Sequence, residues 1–312
     1  MSSTMRSLRS ETVVQASDLI APVFINETLE SNCQIKSMPG VYQYGYDEAL
    51  NKINEYQELG IGAIILFGIP KEKDERASGA YASDGVIQTM TKKIKEKGLS
   101  IPVIADTCQC EYTANGHCGP LNEDGCVDND ITLSWLSKTA VSQAKAGADI
   151  IAPSTMVDGM ITTIRQALDE ASFQNIPILS YGAKYASNFY GPFRDAAGSS
   201  GSFHGDRKNH QMDPANRKEA LLELQADIAE GADMLMVKPA MTYLDIISDA
   251  KELGYPLWAY NVSGEYSMIK MAAREGLCDN DSMIDEVLLS IRRAGADKII
   301  TYFAEEYAKR LL

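Results

Sequence analysis

A three-residue junction, Gly-Ala-Asp, recurs along the chain, and each copy leads directly into a short apolar run. The copies occupy residues 147–149, 231–233 and 295–297, and a looser version, Gly60-Ile61-Gly62, precedes a further apolar run. Glycine ends a helix easily because it can adopt a positive φ, and a short apolar run is typical of a parallel strand covered on both faces. The chain therefore repeats a unit in which a helix leads into a buried strand.

Eight apolar runs can be counted, and helical patterns lie between them. The predicted strands cover roughly 19–25, 62–68, 101–106, 149–153, 176–182, 233–238, 256–262 and 298–303. The predicted helices cover roughly 47–59, 85–97, 131–146, 158–172, 215–230, 242–253, 265–275, 281–294 and 303–311. An open doubly wound sheet is the alternative, but eight units in 312 residues favour closure into a (β/α)8 TIM barrel. We expect a single domain over 1–312, with an N-terminal arm over 1–17 that reaches a neighbouring subunit.

The charge of the chain excludes some classes of partner. It has 29 basic and 43 acidic side chains, a formal net charge of −14. Nucleic acid is not expected as a partner, because phosphate binding needs a basic face, and the same charge disfavours adhesion to anionic membranes. No segment reaches the 18 consecutive apolar residues of a membrane span, and the N-terminus lacks the apolar core of a secretory signal. We therefore expect a cytoplasmic protein.

Polar side chains stand at the ends of the predicted strands, where barrel enzymes carry their catalytic residues. In chain order they are Asp106, Ser154, Lys184, Lys238, Ser263 and Tyr302. Lys238 follows four apolar residues, so burial should lower the pKa of its amine and make it a nucleophile. Lys184 has a similar setting on the neighbouring strand, and two adjacent cations are a known way to activate a Schiff-base amine. The alternative is that each lysine only pairs with a carboxylate at the barrel rim.

Three cysteines crowd into one loop, at Cys108, Cys110 and Cys118. Three thiolates can hold Zn²⁺ and leave its fourth position open, which is the arrangement of a catalytic zinc site. The spacing is not that of a zinc finger. The alternative is a set of buried or redox-labile thiols without a metal.

A long Gly/Ser-rich connection over 187–213 predicts an active-site lid, since long loops in compact domains are usually lids or binding loops. It carries Arg194, Arg207 and Lys208. Three cations in an acidic protein indicate capture of a substrate carboxylate or phosphate. The alternative is a solvated surface loop.

Several long motifs together resemble one enzyme family over nearly the whole chain. They are Asp106-Thr-Cys-Gln-Cys-Glu-Tyr-Thr-Ala-Asn-Gly-His-Cys118, Phe189-Tyr-Gly-Pro-Phe-Arg194, Gly205-Asp-Arg-Lys208, Gln211-Met-Asp-Pro-Ala-Asn216, Met236-Val-Lys238-Pro and Val262-Ser-Gly-Glu-Tyr266. In these motifs the chain resembles the porphobilinogen synthase (5-aminolevulinate dehydratase) family, in its zinc-dependent branch. The resemblance implies a lyase of heme (tetrapyrrole) biosynthesis, which condenses two 5-aminolevulinate molecules into porphobilinogen with loss of two waters. It also implies a homo-oligomer of barrels, typically an octamer.

The resemblance implies a role for each candidate residue. Lys238 matches the principal Schiff-base lysine, and Lys184 matches the second lysine. The zinc ligands correspond to Cys108, Cys110 and Cys118, and the carboxylate-binding lid residues to Arg194, Arg207 and Lys208. The other substrate-binding residues correspond to Asp106, Ser154, Gln211, Ser263 and Tyr302. Glu223 falls where some members carry an allosteric Mg²⁺ ligand.

The chain departs from the family pattern at Thr155, where members usually have Asp, at Met160, where they usually have Arg, and at Asn261, where they usually have Gln. Two other functions stay open at this point. One is another Schiff-base lyase or aldolase that acts on a keto acid, although ordinary Schiff-base aldolases need no metal. The other is a non-catalytic zinc or thiol redox protein, for which the two lysines and the cationic lid would have no role.

Overall fold

Eight parallel strands form a closed barrel in the computed structural model, which describes residues 5–6, 8–198 and 207–312. The barrel strands are β1 (Leu19–Asn26), β4 (Ala63–Ile69), β5 (Val103–Thr107), β6 (Ile150–Pro153), β7 (Leu179–Lys184), β8 (Met234–Lys238), β9 (Leu257–Asn261) and β10 (Lys298–Thr301). Two short strands lie outside the barrel, β2 (Asn32–Gln34) and β3 (Tyr42–Tyr44). The barrel strands follow the order β6-β5-β4-β1-β10-β9-β8-β7. A parallel bridge between Ile151 and Ile178 joins β6 to the start of β7 and closes the circle. The predicted TIM barrel is confirmed.

Helices follow the barrel strands and cover the outside of the barrel. They are α1 (Tyr46–Glu58), α2 (Ser78–Tyr81), α3 (Val86–Glu96), α4 (Asn129–Ala146), α5 (Met160–Glu170), α6 (Gly191–Ala196), α7 (Lys218–Glu230), α8 (Leu244–Lys251), α9 (Ser263–Arg274), α10 (Asn280–Ala294) and α11 (Ala304–Arg310). The bounds of the predicted elements differ from these by at most three residues. Because helices cover one face of each strand and the barrel interior covers the other, all seven residues of β4 are buried.

The Gly-Ala-Asp junction joins neighbouring strands in pairs. Asp149 precedes β6, and its Oδ2 accepts the backbone N–H of Val103, at the start of β5, at 2.7 Å. In return the backbone N–H of Asp149 donates to the Val103 carbonyl at 2.9 Å. Asp233 makes the same two bonds with Ile178, and Asp297 makes them with Leu257. Each aspartate therefore fixes the register of its own strand against the preceding one at the N-terminal end of the barrel.

A short antiparallel hairpin, β2 and β3, extends the sheet and was not predicted from the sequence. β3 pairs in parallel with the end of β1, through Gln43 opposite Phe24. The amide nitrogen of Gln43 donates to the carbonyl of Ala196 at 2.7 Å, and the Ser37 hydroxyl donates to Asp195 at 2.6 Å. The hairpin thus supports the C-terminal end of α6, which belongs to the predicted lid. Strands of three residues are too short to show the alternation of apolar and polar side chains from which a strand is predicted.

The predicted arm, 1–17, is described except for residues 1–4 and 7, which lie outside the described residues. Its last part joins the barrel, because Val14 is buried and the hydroxyl of Tyr307 donates to the Val14 carbonyl at 3.1 Å. Further out, Leu8 is 76% exposed and Val13 is 62% exposed. That this segment contacts a neighbouring subunit stays a prediction. No described helix combines the length and the apolar character that crossing a membrane would require.

Candidate active site

One cavity at the C-terminal ends of the strands brings the predicted site residues together. Its volume is about 450 Å³. Its lining includes Asp106, Cys110, Ser154, Lys184, Arg194, Arg207, Lys208, Gln211, Lys238, Ser263 and Tyr302. These are all ten residues predicted for catalysis or substrate binding, together with one of the three predicted metal ligands. Residues 199–206 of the predicted lid, which include the first two residues of the Gly205–Lys208 motif, lie outside the described part of the chain.

Two buried lysines stand side by side at the ends of β7 and β8. Lys184 and Lys238 are direct partners in the strand register, and they are 5% and 8% exposed. The Nζ of Lys238 lies over aromatic rings, 4.3 Å from the centre of Tyr260 and 5.2 Å from the centre of Tyr181. Burial and the charge of Lys184 together lower the pKa of Lys238 to about 7, although Asp106 acts in the opposite direction. A large fraction of the Lys238 amine is therefore neutral near pH 7.

The pKa of Lys238 predicts the acid side of the pH profile. A protonated amine cannot attack a carbonyl, so we expect kcat/KM to fall about tenfold per pH unit below pH 7 and to level off above it. The profile can be measured between pH 5.5 and 9 with the substrate that the family resemblance implies, 5-aminolevulinate. An acid limb with an apparent pKa near 10, the ordinary value for lysine, would contradict this assignment.

A bulge in β7 turns Lys184 into the barrel. Ser180 and Gly182 both face α7, where Asp227 accepts a hydrogen bond from the Ser180 hydroxyl. Regular alternation would place Lys184 on this outer face as well. The pairing of β7 with β8 shifts in register between Ser180 and Ala183, and this irregularity reverses the direction of the residues that follow. Lys184 consequently lines the cavity, and its amine donates to the Ser154 carbonyl.

Gly182→Ala is expected to disturb this bulge. The added Cβ would overlap Oδ2 of Asp227 and lie 3.0 Å from a methyl carbon of Leu224. Overpacking of this kind costs about 1–3 kcal/mol of unfolding free energy, and a shifted Lys184 should lower kcat by about ten- to a hundredfold. Denaturant unfolding and steady-state kinetics measure the two effects. Ser180→Ala, which adds no atoms, is the matched variant and should show a smaller loss of activity. Equal losses would mean that the close contact at Gly182 is unimportant.

The three predicted metal ligands form a buried cluster. The sulfur atoms of Cys108, Cys110 and Cys118 lie within 4.8 Å of one another, and the thiols are free. Hydrogen bonds from Cys108 and Cys110 hold the pKa of Cys118 well below its usual range, and the positive charge of Arg207 adds to the effect. Burial by itself would lower the pKa of Arg207, but the neighbouring sulfur atoms outweigh it and raise that pKa. A cation beside the cluster is suited to balance thiolate charge.

The spacing of the cluster fits a zinc ion. In a tetrahedral site with Zn–S bonds of about 2.3 Å, the sulfur atoms are about 3.8 Å apart. The sulfur atoms of Cys108 and Cys110 are 3.4 Å apart. Within the described part of the chain only these three soft ligands converge, which leaves one position for water or substrate, as in catalytic zinc sites. The donor set is therefore compatible with Zn²⁺, which these three residues would hold.

Cationic side chains lie on the lid side of the cavity. Arg207 donates to the Gly116 carbonyl in the cysteine loop at 2.9 Å, which connects the segment predicted to be a lid with that loop. Burial and the charge of Arg207 both lower the pKa of Arg194, so the two guanidinium groups repel each other electrostatically. Two cations held together in this way favour an anionic ligand. The Ser263 hydroxyl accepts the backbone N–H of Phe193 at 3.0 Å, which connects α9 with α6.

Glu223 lies apart from these residues. It lines a second cavity of about 700 Å³ beside α7, together with Asp158, Glu219, Asp227 and Glu230. Burial raises the pKa of Glu223, and the charge of Asp158 raises it further. The structure therefore places this residue outside the cavity that holds the two lysines.

Sequence reasoning missed the aromatic residues and one carboxyl group of the site. The rings of Tyr181, Tyr190, Phe193 and Tyr260 surround the Lys238 amine at 4.3 to 5.5 Å from their centres. Glu111, which is 2% exposed, accepts a hydrogen bond from the Cys110 thiol at 3.1 Å. The position of Tyr260 before the end of its strand could have indicated an inward ring. For Glu111, the only indication in the sequence is its position between Cys110 and Cys118.

Comparison with known proteins gives the same family at three levels. The family model "Delta-aminolevulinic acid dehydratase" matches residues 1–310. The delta-aminolevulinic acid dehydratases of Staphylococcus epidermidis and Staphylococcus aureus are each 53% identical over 312 residues, covering 99% of this chain and 96% of the relative. A crystal structure of delta-aminolevulinic acid dehydratase (porphobilinogen synthase) from Toxoplasma gondii, in complex with the reaction product porphobilinogen, superposes with a TM-score of 0.96. It is 41% identical and covers 99% of this chain and 89% of that one.

Proposed function

The chain belongs to the delta-aminolevulinic acid dehydratase family, and we therefore propose that it condenses two molecules of 5-aminolevulinate into porphobilinogen with loss of two waters. This is the family that the sequence motifs resemble. The observation that carries the proposal is the pair of partnered lysines, Lys184 and Lys238, which face one cavity beside three convergent cysteines. A simple aldolase would not need the cysteines, and a non-catalytic protein would need neither lysine.

Lys238 is proposed to form a covalent bond to one of the two substrate molecules. Its neutral amine attacks the keto carbon of one molecule, a carbon–nitrogen double bond forms, and the keto oxygen leaves as water. Uptake of one proton at the nitrogen turns this imine into an iminium cation, and the aromatic faces of Tyr260 and Tyr181 around the nitrogen stabilise a positive charge there. The iminium also withdraws electrons, so that a neighbouring carbon can lose a proton and become a nucleophile.

Lys184 and the cations of the lid are proposed to bind the second molecule. The fixed separation of two lysines on neighbouring strands makes a reaction of two identical substrates an oriented one. Arg194, Arg207 and Lys208 on the segment 187–213 would hold one carboxylate, while Ser263 and Tyr302, which line the same cavity, would hold the other. Asp106, Ser154 and Gln211 line the same cavity. We propose that the segment 187–213 acts as a lid over both substrates.

Zn²⁺ is proposed as the metal of the site, with Cys108, Cys110 and Cys118 as its ligands. When bound there, it would polarise a carbonyl oxygen and lower the pKa of a bound water. Arg207 would balance the charge of the thiolates from the lid side. The allosteric Mg²⁺ at Glu223, the octamer and the cytoplasmic location stay predictions that rest on the family.

The test is product formation by freshly reduced protein. The chain should convert 5-aminolevulinate into porphobilinogen in a colorimetric assay, and borohydride added during turnover should leave reduced substrate adducts on Lys238 and Lys184. Adducts without product would favour another Schiff-base lyase. Absence of both adducts and product would favour a non-catalytic metal or thiol protein and would overturn the proposal.

A further inference from the structure

We infer that Thr155 is a positioning residue of the metal site, which acts by holding the sulfur of Cys108 through a hydrogen bond. The inference deepens the proposed function, since it concerns the same cysteine cluster. Thr155 is not a ligand, and it was noted from the sequence only as a departure from the family pattern.

The contact itself is direct and buried. The Thr155 hydroxyl donates to the sulfur of Cys108 at 3.6 Å, an ordinary separation for a bond to sulfur, and the residue is 0% exposed. It makes no other hydrogen bond with the described residues. Because buried hydroxyl groups are almost always hydrogen-bonded, the sulfur is the group that satisfies this one. Because Thr155 is fully buried, its hydroxyl cannot form a hydrogen bond with bulk water instead.

The loop that carries Thr155 is fixed by its neighbours. Ser154 donates its N–H to the Thr107 carbonyl at 3.3 Å and accepts a hydrogen bond from the Lys184 amine on its own carbonyl. Met156 has a left-handed backbone with φ of 65°, which a non-glycine residue adopts only where the surroundings impose it. Two consecutive residues of one rigid loop therefore contact Lys184 and the cysteine cluster.

The consequence for a metal follows from general coordination chemistry. Groups that hydrogen-bond to metal ligands fix the orientation of the ligand and tune its electron donation, and their removal typically costs about ten- to a hundredfold in metal affinity. A hydroxyl donor withdraws electron density from the thiolate that it contacts. Thr155 thus provides this function from the barrel framework, whereas Arg207 provides a charge from the lid.

The test compares metal binding by the full-length wild-type protein with that of hydroxyl-free variants. Thr155→Val keeps the shape without the donor, Thr155→Ala removes the donor and leaves space, and Thr155→Ser keeps the hydroxyl. The matched control is Thr91→Val, because Thr91 is also fully buried and its hydroxyl has no partner among the described residues. Zn²⁺ affinity is measured by competition with a chromophoric chelator, and bound Co²⁺ is followed through its thiolate charge-transfer band.

We expect the Val and Ala variants to bind Zn²⁺ about tenfold more weakly and to shift the Co²⁺ band in the same direction. Thr155→Ser should stay within about threefold of the wild type and Thr91→Val should not differ from it. A shared band shift identifies the hydrogen bond, because a mere packing defect would affect the Ala variant alone. Unchanged affinity and spectrum in both hydroxyl-free variants would overturn the inference. A wild-type chain that binds neither metal would overturn the proposed metal site and this inference with it.

Discussion

Lys238→Met is expected to lower kcat for porphobilinogen formation by about 10⁴-fold or more. Methionine has an unbranched apolar side chain as long as the lysine stem without its amine, so the aromatic surroundings of the side chain can stay packed. What disappears is the amine that is proposed to form the carbon–nitrogen bond, which lies 4.3 Å from the centre of the Tyr260 ring. The loss should be in kcat more than in KM, because the side chains proposed to hold the substrate carboxylates stay in place.

The matched control is Lys97→Met, which removes an exposed lysine at the end of α3 and should leave both constants unchanged. Borohydride trapping adds a second readout, since the variant should lose the Lys238 adduct. Residual activity within tenfold of the wild type would show that Lys238 is not the essential nucleophile. Activity retained by Lys238→Met and lost by Lys184→Met would exchange the proposed roles of the two lysines.

Removal of the metal is expected to lower activity by about 10³-fold, because polarisation of a carbonyl by zinc contributes several kcal/mol to transition-state stabilisation. The protein is freshly reduced, treated with a chelator, assayed, and then assayed again after Zn²⁺ is restored. Recovery with Zn²⁺ should be nearly complete in the wild type. Cys118→Ser should resemble the chelated protein and recover little, since a hydroxyl is a poor ligand for zinc.

Cys33→Ser is the control for this experiment, because Cys33 is an exposed thiol on β2, outside the cluster. It should respond to chelator and Zn²⁺ as the wild type does. Activity that is indifferent to chelation would remove zinc from the proposal while leaving the reaction in place. Recovery with Mg²⁺ in place of Zn²⁺ would assign a different metal to the chemistry.

The barrel and the strand-end lysines were predictable because they depend on local patterns. The junctions at 147–149, 231–233 and 295–297 mark helix ends and strand starts, and the ends of strands specify the position of a barrel active site. The β2–β3 hairpin was not predictable, because its three-residue strands carry no period and its pairing with β1 is a long-range contact. The same holds for the contact of Thr155 with Cys108, which joins residues 47 positions apart.

The inward direction of Lys184 shows a different limit. Its place at the end of an apolar run correctly predicts that it belongs to the site, although regular alternation from Ser180 and Gly182 would turn it outward. The decisive feature is the bulge against β8, which depends on the packing of Asp227 on the outer face of β7. Sequence periodicity cannot report an irregularity that is set by a helix more than 40 residues further along the chain.

We expect the aspartate junctions to divide the barrel into cooperative units of unequal stability. They bind β5 to β6, β7 to β8 and β9 to β10, each through two reciprocal hydrogen bonds. Between β6 and β7, by contrast, the described strands share a single bridge, at Ile151 and Ile178. Local opening should therefore begin at this seam, and amide hydrogens beside it should exchange faster than those inside the joined pairs. The hydrogen bond from Lys184 to Ser154 crosses the same seam, so the place where the barrel separates most readily is also a wall of its active site.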